Sequence, residues 1–184
     1  MPDDTWDMER CVIVGAAGCG KTTLGKRLAD HFESPFYDID ALFWKPGWVE
    51  SQTDELRALT SAATAGKRWV IAGNYTSQLR DIVWSRADTL IWLDLPRSTT
   101  FPRVVRRTVL DAMTRRELWP GCRQTILIPF RTHLFGIAWA QSENYKEIYE
   151  GFLREIDMAH LEVIRLTHKR EVDRWLEDLH RSCF

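Results

Sequence analysis

The sequence has few cysteines and no long apolar segment. Its four cysteines form no CxxC pair and have no histidines at metal-ligand spacing, which argues against a zinc site and against a disulfide framework. Uninterrupted apolar runs reach only a few residues, which is too short to span a membrane. The first ten residues, MPDDTWDMER, are acidic where a signal peptide would be basic and then apolar. We therefore expect a cytoplasmic protein that does not insert into a membrane.

The sequence also lacks an overall excess of either charge. Its 184 residues carry a net charge of −1 with 45% apolar and 28% charged residues, which is typical of one folded domain. Residues 97–131 nevertheless hold eight arginines against only two acids, Asp111 and Glu117. Because the guanidinium group suits phosphate oxygens, this local excess indicates a phosphate-rich ligand or a nucleic acid.

Short apolar strands alternate with helical patterns along the whole chain. Strands are predicted at residues 11–14, 35–40, 69–72, 89–93 and 161–166, and segments with apolar residues at three- and four-residue steps lie between and after them. Neither a repeat nor a linker interrupts this alternation. It predicts an α/β fold in one domain over residues 1–184, with a parallel sheet covered by helices on both faces.

Residues 15–22, GAAGCGKT, match the phosphate-binding loop G-x-x-x-x-G-K-[ST] at every fixed position, between a strand and a helix. Glycines let backbone N–H groups surround an anion, and the helix N-terminus adds its dipole. Lys21 is expected to reach the β- and γ-phosphates of ATP, and the Thr22 hydroxyl to ligate Mg²⁺. The predicted nucleotide-binding residues are Gly15, Ala16, Ala17, Gly18, Cys19, Gly20, Lys21, Thr22 and Thr23.

The absence of a guanine-recognition motif and the short length of the chain narrow the class of nucleotide-binding protein. A GTPase needs an N-K-x-D string after a later strand, and this sequence has none. Motor and AAA-type ATPases need far longer chains. A small-molecule kinase remains at this length.

Several motifs carry a resemblance to a known superfamily. They are the phosphate loop, DALFWKPGW at residues 40–48, Gly73-Asn74-Tyr75, and ADTLIWLDLPR at residues 87–97. With them the chain resembles the adenylate kinase and shikimate kinase superfamily and, more closely, the DNA topology modulation protein family. The resemblance implies a five-stranded parallel sheet in the order 2-3-1-4-5. It also implies a helical lid over the phosphates, at about residues 108–128.

The resemblance also assigns roles to two acids. Shikimate kinases carry D-x-D at the end of the second strand, and Asp38-Ile39-Asp40 reproduces that pattern. Asp38 would hold a magnesium-bound water and Asp40 would bind the acceptor hydroxyl, whose proton it can accept. The structural alternative is that one aspartate only caps the following turn. Asp94, after the fourth strand, is expected to be structural, and the alternative is that it contacts the metal as a Walker B aspartate, whose pattern it matches. Adenylate kinases place the metal's acid after the third strand, where this chain has Gly73 and Asn74, which disfavours nucleoside monophosphate kinase activity.

Arginines are expected to act on the phosphates. Pro96, Arg103 and Arg107 keep the spacing of adenylate kinases, which implies that Arg103 stacks on adenine and Arg107 reaches the transferred phosphate. The lid would supply Arg116 to catalysis and Arg123 to substrate binding, and Arg80 would serve the acceptor. The alternative for each single arginine is a solvated helix face.

The acceptor is expected to contact Asp40, Phe43, Trp44, Gly73, Asn74 and Tyr75, in addition to Arg80 and Arg123. Phe43, Trp44 and Trp48 form either a wall around a ring-bearing substrate or a local cap on the core, and the same two alternatives apply to Asn74 and Tyr75. The sequence thus predicts an ATP- and Mg²⁺-dependent kinase acting on a small molecule, with a hydroxyl acceptor favoured by D-x-D. Two alternatives are a DNA-associated nucleotide-binding regulator and an ATPase without an acceptor. The balanced charge and the lack of a DNA-reading motif disfavour a nucleic-acid partner. No oligomeric state is predicted.

Overall fold

A computed structural model describes residues 8–125, 134–155 and 158–181. Strands and helices alternate along these residues. Their order is β1 Arg10–Gly15, α1 Lys21–His31, β2 Phe36–Asp38, α2 Ile39–Phe43, β3 Trp44–Lys45, β4 Val49–Glu50, α3 Thr53–Ala63, β5 Trp69–Ala72, α4 Thr76–Val83, β6 Thr89–Leu93, α5 Arg97–Met113, β7 Glu117–Trp119, β8 Cys122–Arg123, α6 Leu134–Phe152, β9 Glu162–Leu166 and α7 Lys169–Arg181. None of the helices in these ranges is long and apolar enough to cross a bilayer.

Five strands form the central sheet, in the order β2-β5-β1-β6-β9. Every neighbouring pair runs parallel. Counted among the sheet strands alone, this order is 2-3-1-4-5, so the predicted α/β topology is confirmed. Parallel strands place all their carboxyl ends at one edge, which brings the segments that follow β1, β2 and β5 together.

The three central strands of the sheet, β5, β1 and β6, are buried on both faces, which explains why they read as continuous apolar runs. Successive residues of β1 alternate between two core clusters: Cys11 and Ile13 lie in one, Val12 and Val14 in the other. Helices α1 and α7 cover the first face, and α3, α4 and α6 the second. Their buried anchors are Leu24, Leu28, Leu176 and Leu179 on the first face and Leu56, Leu79 and Tyr149 on the second.

Two segments differ from the predicted elements. The second strand ends at Asp38, because the Asp38 carboxylate accepts a hydrogen bond from the Asp40 backbone N–H and caps the short helix α2. The lid segment, residues 108–128, begins as the end of α5 and continues as the antiparallel hairpin β7–β8 rather than as a helix throughout. Its residues 126–128 lie outside the described ranges.

Candidate active site

The phosphate loop lies between β1 and α1, with α5 packed against it. Gly18 has a φ of +78°, and a Cβ there would lie 2.6 Å from the Thr100 carbonyl oxygen and 2.8 Å from Val104 Cγ2. Only glycine fits such a close approach in a left-handed conformation. Cys19 is buried with its side chain in the core, so only its backbone faces the loop's concave side. The sequence therefore folds here into a ring of backbone donors suited to an anion.

Lys21 is held at the mouth of this loop. Its ammonium group donates hydrogen bonds to the carbonyl oxygens of Gly15, at 2.7 Å, and Ala16, at 3.2 Å. The charge therefore sits beside the backbone donors, at the start of α1 where the helix dipole is positive. An ammonium group at this position can contact an anion that the loop holds, and binding of the β- and γ-phosphates of ATP by Lys21 stays a prediction.

Asp38 connects the end of β2 with the first turn of α1. Thr22 Oγ1 donates to Asp38 Oδ2 over 3.1 Å. Burial and the nearby charge of Asp40 raise the pKa of Asp38, and the hydrogen bond from Thr22 offsets part of this increase. Asp38 thus caps α2 and faces Thr22 at the same time. The two alternatives for this residue, a cap on the following turn and a contact near the metal, are therefore compatible.

This pair of oxygens fits Mg²⁺ of the kind that accompanies a nucleotide. Such an ion takes one or two protein oxygens and completes its shell with phosphates and water. The Thr22 hydroxyl is one such oxygen, and the Asp38 carboxylate beside it can hold a water of the ion's shell. Within the described ranges no group of three or more histidine, cysteine, aspartate or glutamate side chains forms a cage for a metal.

Asp40 belongs to the same cavity as the phosphate loop. The Tyr75 hydroxyl donates to Asp40 Oδ1 over 2.8 Å, and the Tyr75 ring packs on Phe43 with 4.9 Å between centroids. Burial and the charge of Asp40 raise the pKa of Tyr75, which keeps the phenol protonated and therefore a donor. One carboxylate oxygen of Asp40 is thereby held in place by Tyr75.

Asn74 ties the end of β5 to the phosphate loop. Its Oδ1 accepts from the Gly15 backbone N–H at 3.1 Å and from the Tyr149 hydroxyl at 3.1 Å, while its Nδ2 donates to the Gly15 carbonyl at 2.7 Å. The amide replaces the carboxylate expected here in adenylate kinases. Because its polar atoms already have protein partners, its main role in this structure is to fix the loop.

A cavity of about 630 Å³ joins these groups. Of the predicted site residues, those that line it are Ala17, Gly18, Gly20, Lys21, Thr22, Thr23, Asp40, Trp44, Gly73, Asn74, Tyr75, Arg103 and Arg107. Trp48, which the sequence grouped with Phe43 and Trp44, lines it as well. The lining residues that the sequence did not single out are Thr108, Asp111, Leu118, Trp119, Gln124 and Tyr145. Phe43 lies behind this lining, where its ring supports both Trp44 and Tyr75.

The roof of the cavity is made by two hairpins that contact each other. The Gly47 N–H of the β3–β4 turn donates to the Gly121 carbonyl of the β7–β8 turn at 2.9 Å. Trp48 Nε1 donates to the Arg123 carbonyl at 2.9 Å, and its ring lies edge-on to Trp119 with 5.6 Å between centroids. The lid segment is therefore docked on the β3–β4 hairpin, over the cavity.

The arginines divide into two groups. Arg103 and Arg107 line the cavity. Arg80 instead pairs with Glu155 at 2.6 Å and lies over the ring of Phe152, so it points away from the expected acceptor.

The two lid arginines are also placed elsewhere. Arg116 is 69% exposed and lies 3.7 Å from Asp111, while Arg123 is 73% exposed and lies 3.7 Å from Glu117. In the part of the chain that the structure describes, neither these two nor Arg80 is brought to the cavity.

Asp94 takes part in an ion pair rather than in the site. Its carboxylate accepts from Arg165 at 2.5 Å, and the Arg165 guanidinium lies 4.1 Å from the centroid of the Trp92 ring and also contacts Glu150. This placement agrees with the structural role expected for Asp94.

Comparisons with known proteins give the sequence family and the fold of the chain. A family model described as shikimate kinase matches residues 17–118. Over 127 residues the chain is 32% identical to shikimate kinase 3, chloroplastic, of Oryza sativa subsp. japonica, a stretch that covers 59% of this chain and 38% of that protein. The chain thus spans well under half the length of this relative.

Two solved structures share the fold. Shikimate kinase from Acinetobacter baumannii in complex with shikimate aligns with a TM-score of 0.59 and 17% identity over 95% of this chain and 92% of that one. Shikimate kinase from Bacteroides thetaiotaomicron aligns with a TM-score of 0.53 and 16% identity over 95% and 97%. At such identities the likeness concerns the fold alone.

Proposed function

Because the chain belongs to the shikimate kinase family, we propose that it is an ATP- and Mg²⁺-dependent kinase that phosphorylates a hydroxyl group of a small molecule. The observation that carries this proposal is that Asp40 lines the same cavity as the phosphate loop, while Asp38 contacts Thr22. A nucleotide and an alcohol bound in this cavity would meet between the loop and Asp40.

Each residue has a separate task in the proposed transfer. The loop N–H groups and Lys21 bind the phosphates, and Arg103 and Arg107 place positive charge along them. Mg²⁺, held by the Thr22 hydroxyl and by Asp38 through water, would neutralise charge on the phosphate oxygens. Asp40 orients the acceptor hydroxyl and accepts its proton as the new O–P bond forms.

The proposal extends to the domain organisation of the chain, its location and its partners. We propose that the described elements belong to one kinase domain and that the chain acts in the cytoplasm on a small-molecule acceptor, without a nucleic-acid partner. The Acinetobacter baumannii relative was solved with shikimate, which makes shikimate the first alcohol to assay.

The test is ADP release from MgATP with and without a panel of shikimate, other cyclitols, sugars and nucleosides, with mass spectrometry of the products. We expect one class of alcohol to stimulate ADP release and to gain a phosphoryl group. Lys21→Ala should lower this activity by about 10²-fold or more, because it removes the charge beside the phosphates. Lys26→Ala, at an exposed position of the same helix, is the matched control.

Two results would contradict the proposal. ADP release that is unaffected by every alcohol would favour an ATPase without an acceptor. Unchanged turnover in folded Lys21→Ala protein, verified by circular dichroism, would show that the phosphate loop does not hold the nucleotide.

A further inference from the structure

The cavity has two ends of different chemistry. The charged side chains that line it, within the described ranges, are Lys21, Asp40, Arg103, Arg107 and Asp111. Its positive charge is concentrated at the phosphate loop, where Lys21 is part of the loop. Arg103 and Arg107 lie on α5 close to Val104, which packs against Gly18 of that loop. These three cations are therefore placed for the nucleotide.

The part of the cavity that the two hairpins line beside Asp40 is aromatic, and we call it the aromatic end. It is lined by Trp44, Trp48 and Trp119 from the hairpins and by Tyr75, whose hydroxyl contacts Asp40. The rings of Trp44 and Trp48 are 5.4 Å apart and those of Trp48 and Trp119 are 5.6 Å apart, both edge to face. Such contacts fix each ring by its neighbour, so the wall is formed in advance of binding.

Among the described residues, no cationic side chain at this aromatic end is available to pair with the carboxylate of a bound substrate. The cations on the surrounding elements are engaged in ion pairs: Lys45 and Arg123 of the two hairpins with Glu55 and Glu117, and Arg57 and Arg80 of α3 and α4 with Asp81 and Glu155. Of the charged side chains that line the cavity, Asp40 is the one in hydrogen-bond contact with this end, through Tyr75, and its carboxylate would repel an anion. The aromatic end therefore disfavours an acid such as shikimate and suits an uncharged molecule.

The lid adds one unsatisfied polar atom. Gln124 lines the cavity and is 3% exposed, and its Oε1 has no hydrogen-bond partner within the described ranges. A buried acceptor without a donor is costly, so its presence at a cavity indicates a ligand that supplies an N–H or O–H group.

Resting on the kinase function proposed above, we propose that the acceptor is an uncharged alcohol carried by a flat unsaturated ring system, as in a nucleoside. The ring stacks against the tryptophans of the two hairpins, which places the hydroxyl at Asp40. The hydroxyl oxygen forms a bond to the γ-phosphorus of ATP as the bond from that phosphorus to the β,γ-bridging oxygen breaks. The proton passes to Asp40 and then to solvent, and ADP leaves with the bridging oxygen.

Binding is measured first, with the nucleotide site filled. Protein saturated with Mg²⁺ and a non-hydrolysable ATP analogue is titrated by calorimetry with five nucleosides, pyridoxine, shikimate and myo-inositol. We expect at least one flat-ring alcohol to bind and to be phosphorylated when ATP replaces the analogue. Trp44→Leu should raise its Kd about ten-fold or more, which is roughly the effect of losing one aromatic stack, while Trp44→Phe should bind nearly as well as the parent.

Trp139→Leu is the matched control, since Trp139 is 53% exposed and its ring contacts Phe101 and Arg97 instead of the cavity. Gln124→Met provides a second, independent variant. It should raise the melting temperature, because it removes the unpaired buried oxygen, and yet weaken binding of the flat-ring alcohol.

The outcomes separate the two proposals. Phosphorylation of shikimate or myo-inositol without that of any flat-ring alcohol would overturn the substrate class and leave the kinase function standing. Tight binding that Trp44→Leu does not change would also overturn the aromatic acceptor site. If no alcohol of the panel binds or reacts, the substrate class is overturned, and the Lys21→Ala comparison of ATP binding then decides whether the nucleotide site stands.

Discussion

The hydroxyl of Tyr75 donates a hydrogen bond to Asp40 Oδ1 over 2.8 Å, at the point where β5 and α2 meet beside the cavity. Because burial raises the pKa of Tyr75, the phenol stays protonated and donates its proton in the hydrogen bond to the Asp40 carboxylate. The Phe43 ring fixes the tyrosine from behind. We infer that Tyr75 positions Asp40 and leaves the second carboxylate oxygen for the acceptor.

Tyr75→Phe tests this positioning role. The variant keeps the ring contact with Phe43 and removes only the hydroxyl. We expect kcat to fall about ten-fold, since a hydrogen bond to a charged group is lost, while the KM for ATP stays unchanged. Steady-state kinetics with the identified acceptor measure both values. A fall in melting temperature with kcat per folded molecule intact would show that Tyr75 only stabilises the fold.

Asp40→Asn removes the proton acceptor itself. Asparagine keeps the size of the side chain and its hydrogen-bonding reach, but it neither takes up the acceptor proton nor carries negative charge. A positioned base contributes about 10²–10⁴-fold to a rate, so we expect phosphoryl transfer to fall by that factor. ATP affinity, measured by calorimetry, should barely change. Full activity of the variant would exclude Asp40 as the base.

The sequence alone predicted the parts of the site that depend on local motifs and on topology. The phosphate loop has fixed spacing, and parallel strands bring their carboxyl ends to one edge, so Lys21 and Asp40 were expected to share a site. The position of Tyr145 in the cavity lining was not predictable in the same way. Its spacing indicates a helix, and only packing shows that it faces the cavity.

An ion pair between residues far apart in the sequence explains why the position of Arg80 differs from the prediction. The partner of Arg80 is Glu155, 75 residues later, and no local pattern shows that this ion pair draws the arginine away from the acceptor. The hairpin in the lid segment, by contrast, did have a signal. Pro120-Gly121 is a turn dipeptide, and Gly121 has a φ of +72° that a continuing helix does not use.

Asp38→Asn should show opposite effects on stability and on metal use. The pKa of Asp38 is raised above its ordinary value of 3.8 in the folded state, mainly by burial and then by Asp40. The folded chain therefore holds this proton more tightly than the unfolded chain, and ionisation lowers the free energy of unfolding as pH rises through the raised pKa. Asparagine avoids this cost.

We expect the melting temperature of Asp38→Asn to exceed that of the parent at about pH 7, and the difference to shrink toward about pH 4. The activity of the variant should require more Mg²⁺, because one oxygen of the proposed metal site is weakened. Thermal unfolding over this pH range and Mg²⁺ titrations of activity measure the two effects. If the variant were less stable than the parent at every pH, ionisation of Asp38 would not lower the free energy of unfolding as argued.

Asp94→Asn is the corresponding test for the acid assigned to structure. The substitution removes the charge that pairs with Arg165, which keeps its contacts with Glu150 and Trp92. We expect a loss of about 1 kcal/mol in the free energy of unfolding, as for a partly exposed ion pair. Urea denaturation measures it. The Mg²⁺ requirement should stay that of the parent, and an increased requirement would place Asp94 at the metal.

Gly121→Ala tests whether docking of the two hairpins matters for activity. Gly121 and Gly47 both have positive φ, +72° and +78°, so alanine costs a similar backbone strain at either position. They differ in space: a Cβ at Gly121 would lie 2.6 Å from Pro46 Cβ, whereas one at Gly47 meets nothing within 4 Å. Gly47→Ala is therefore a matched control that keeps the strain and omits the clash.

We expect Gly121→Ala to separate the hairpins and to break the hydrogen bond from the Gly47 N–H to the Gly121 carbonyl. Amide hydrogen exchange in residues 44–50 should then become faster in this variant than in Gly47→Ala. Because Trp48 and Trp119 line the cavity from the two hairpins, the KM for the acceptor should also rise more in Gly121→Ala. Equal exchange rates and equal KM values in the two variants would mean that the contact with Pro46 does not hold the lid segment over the acceptor.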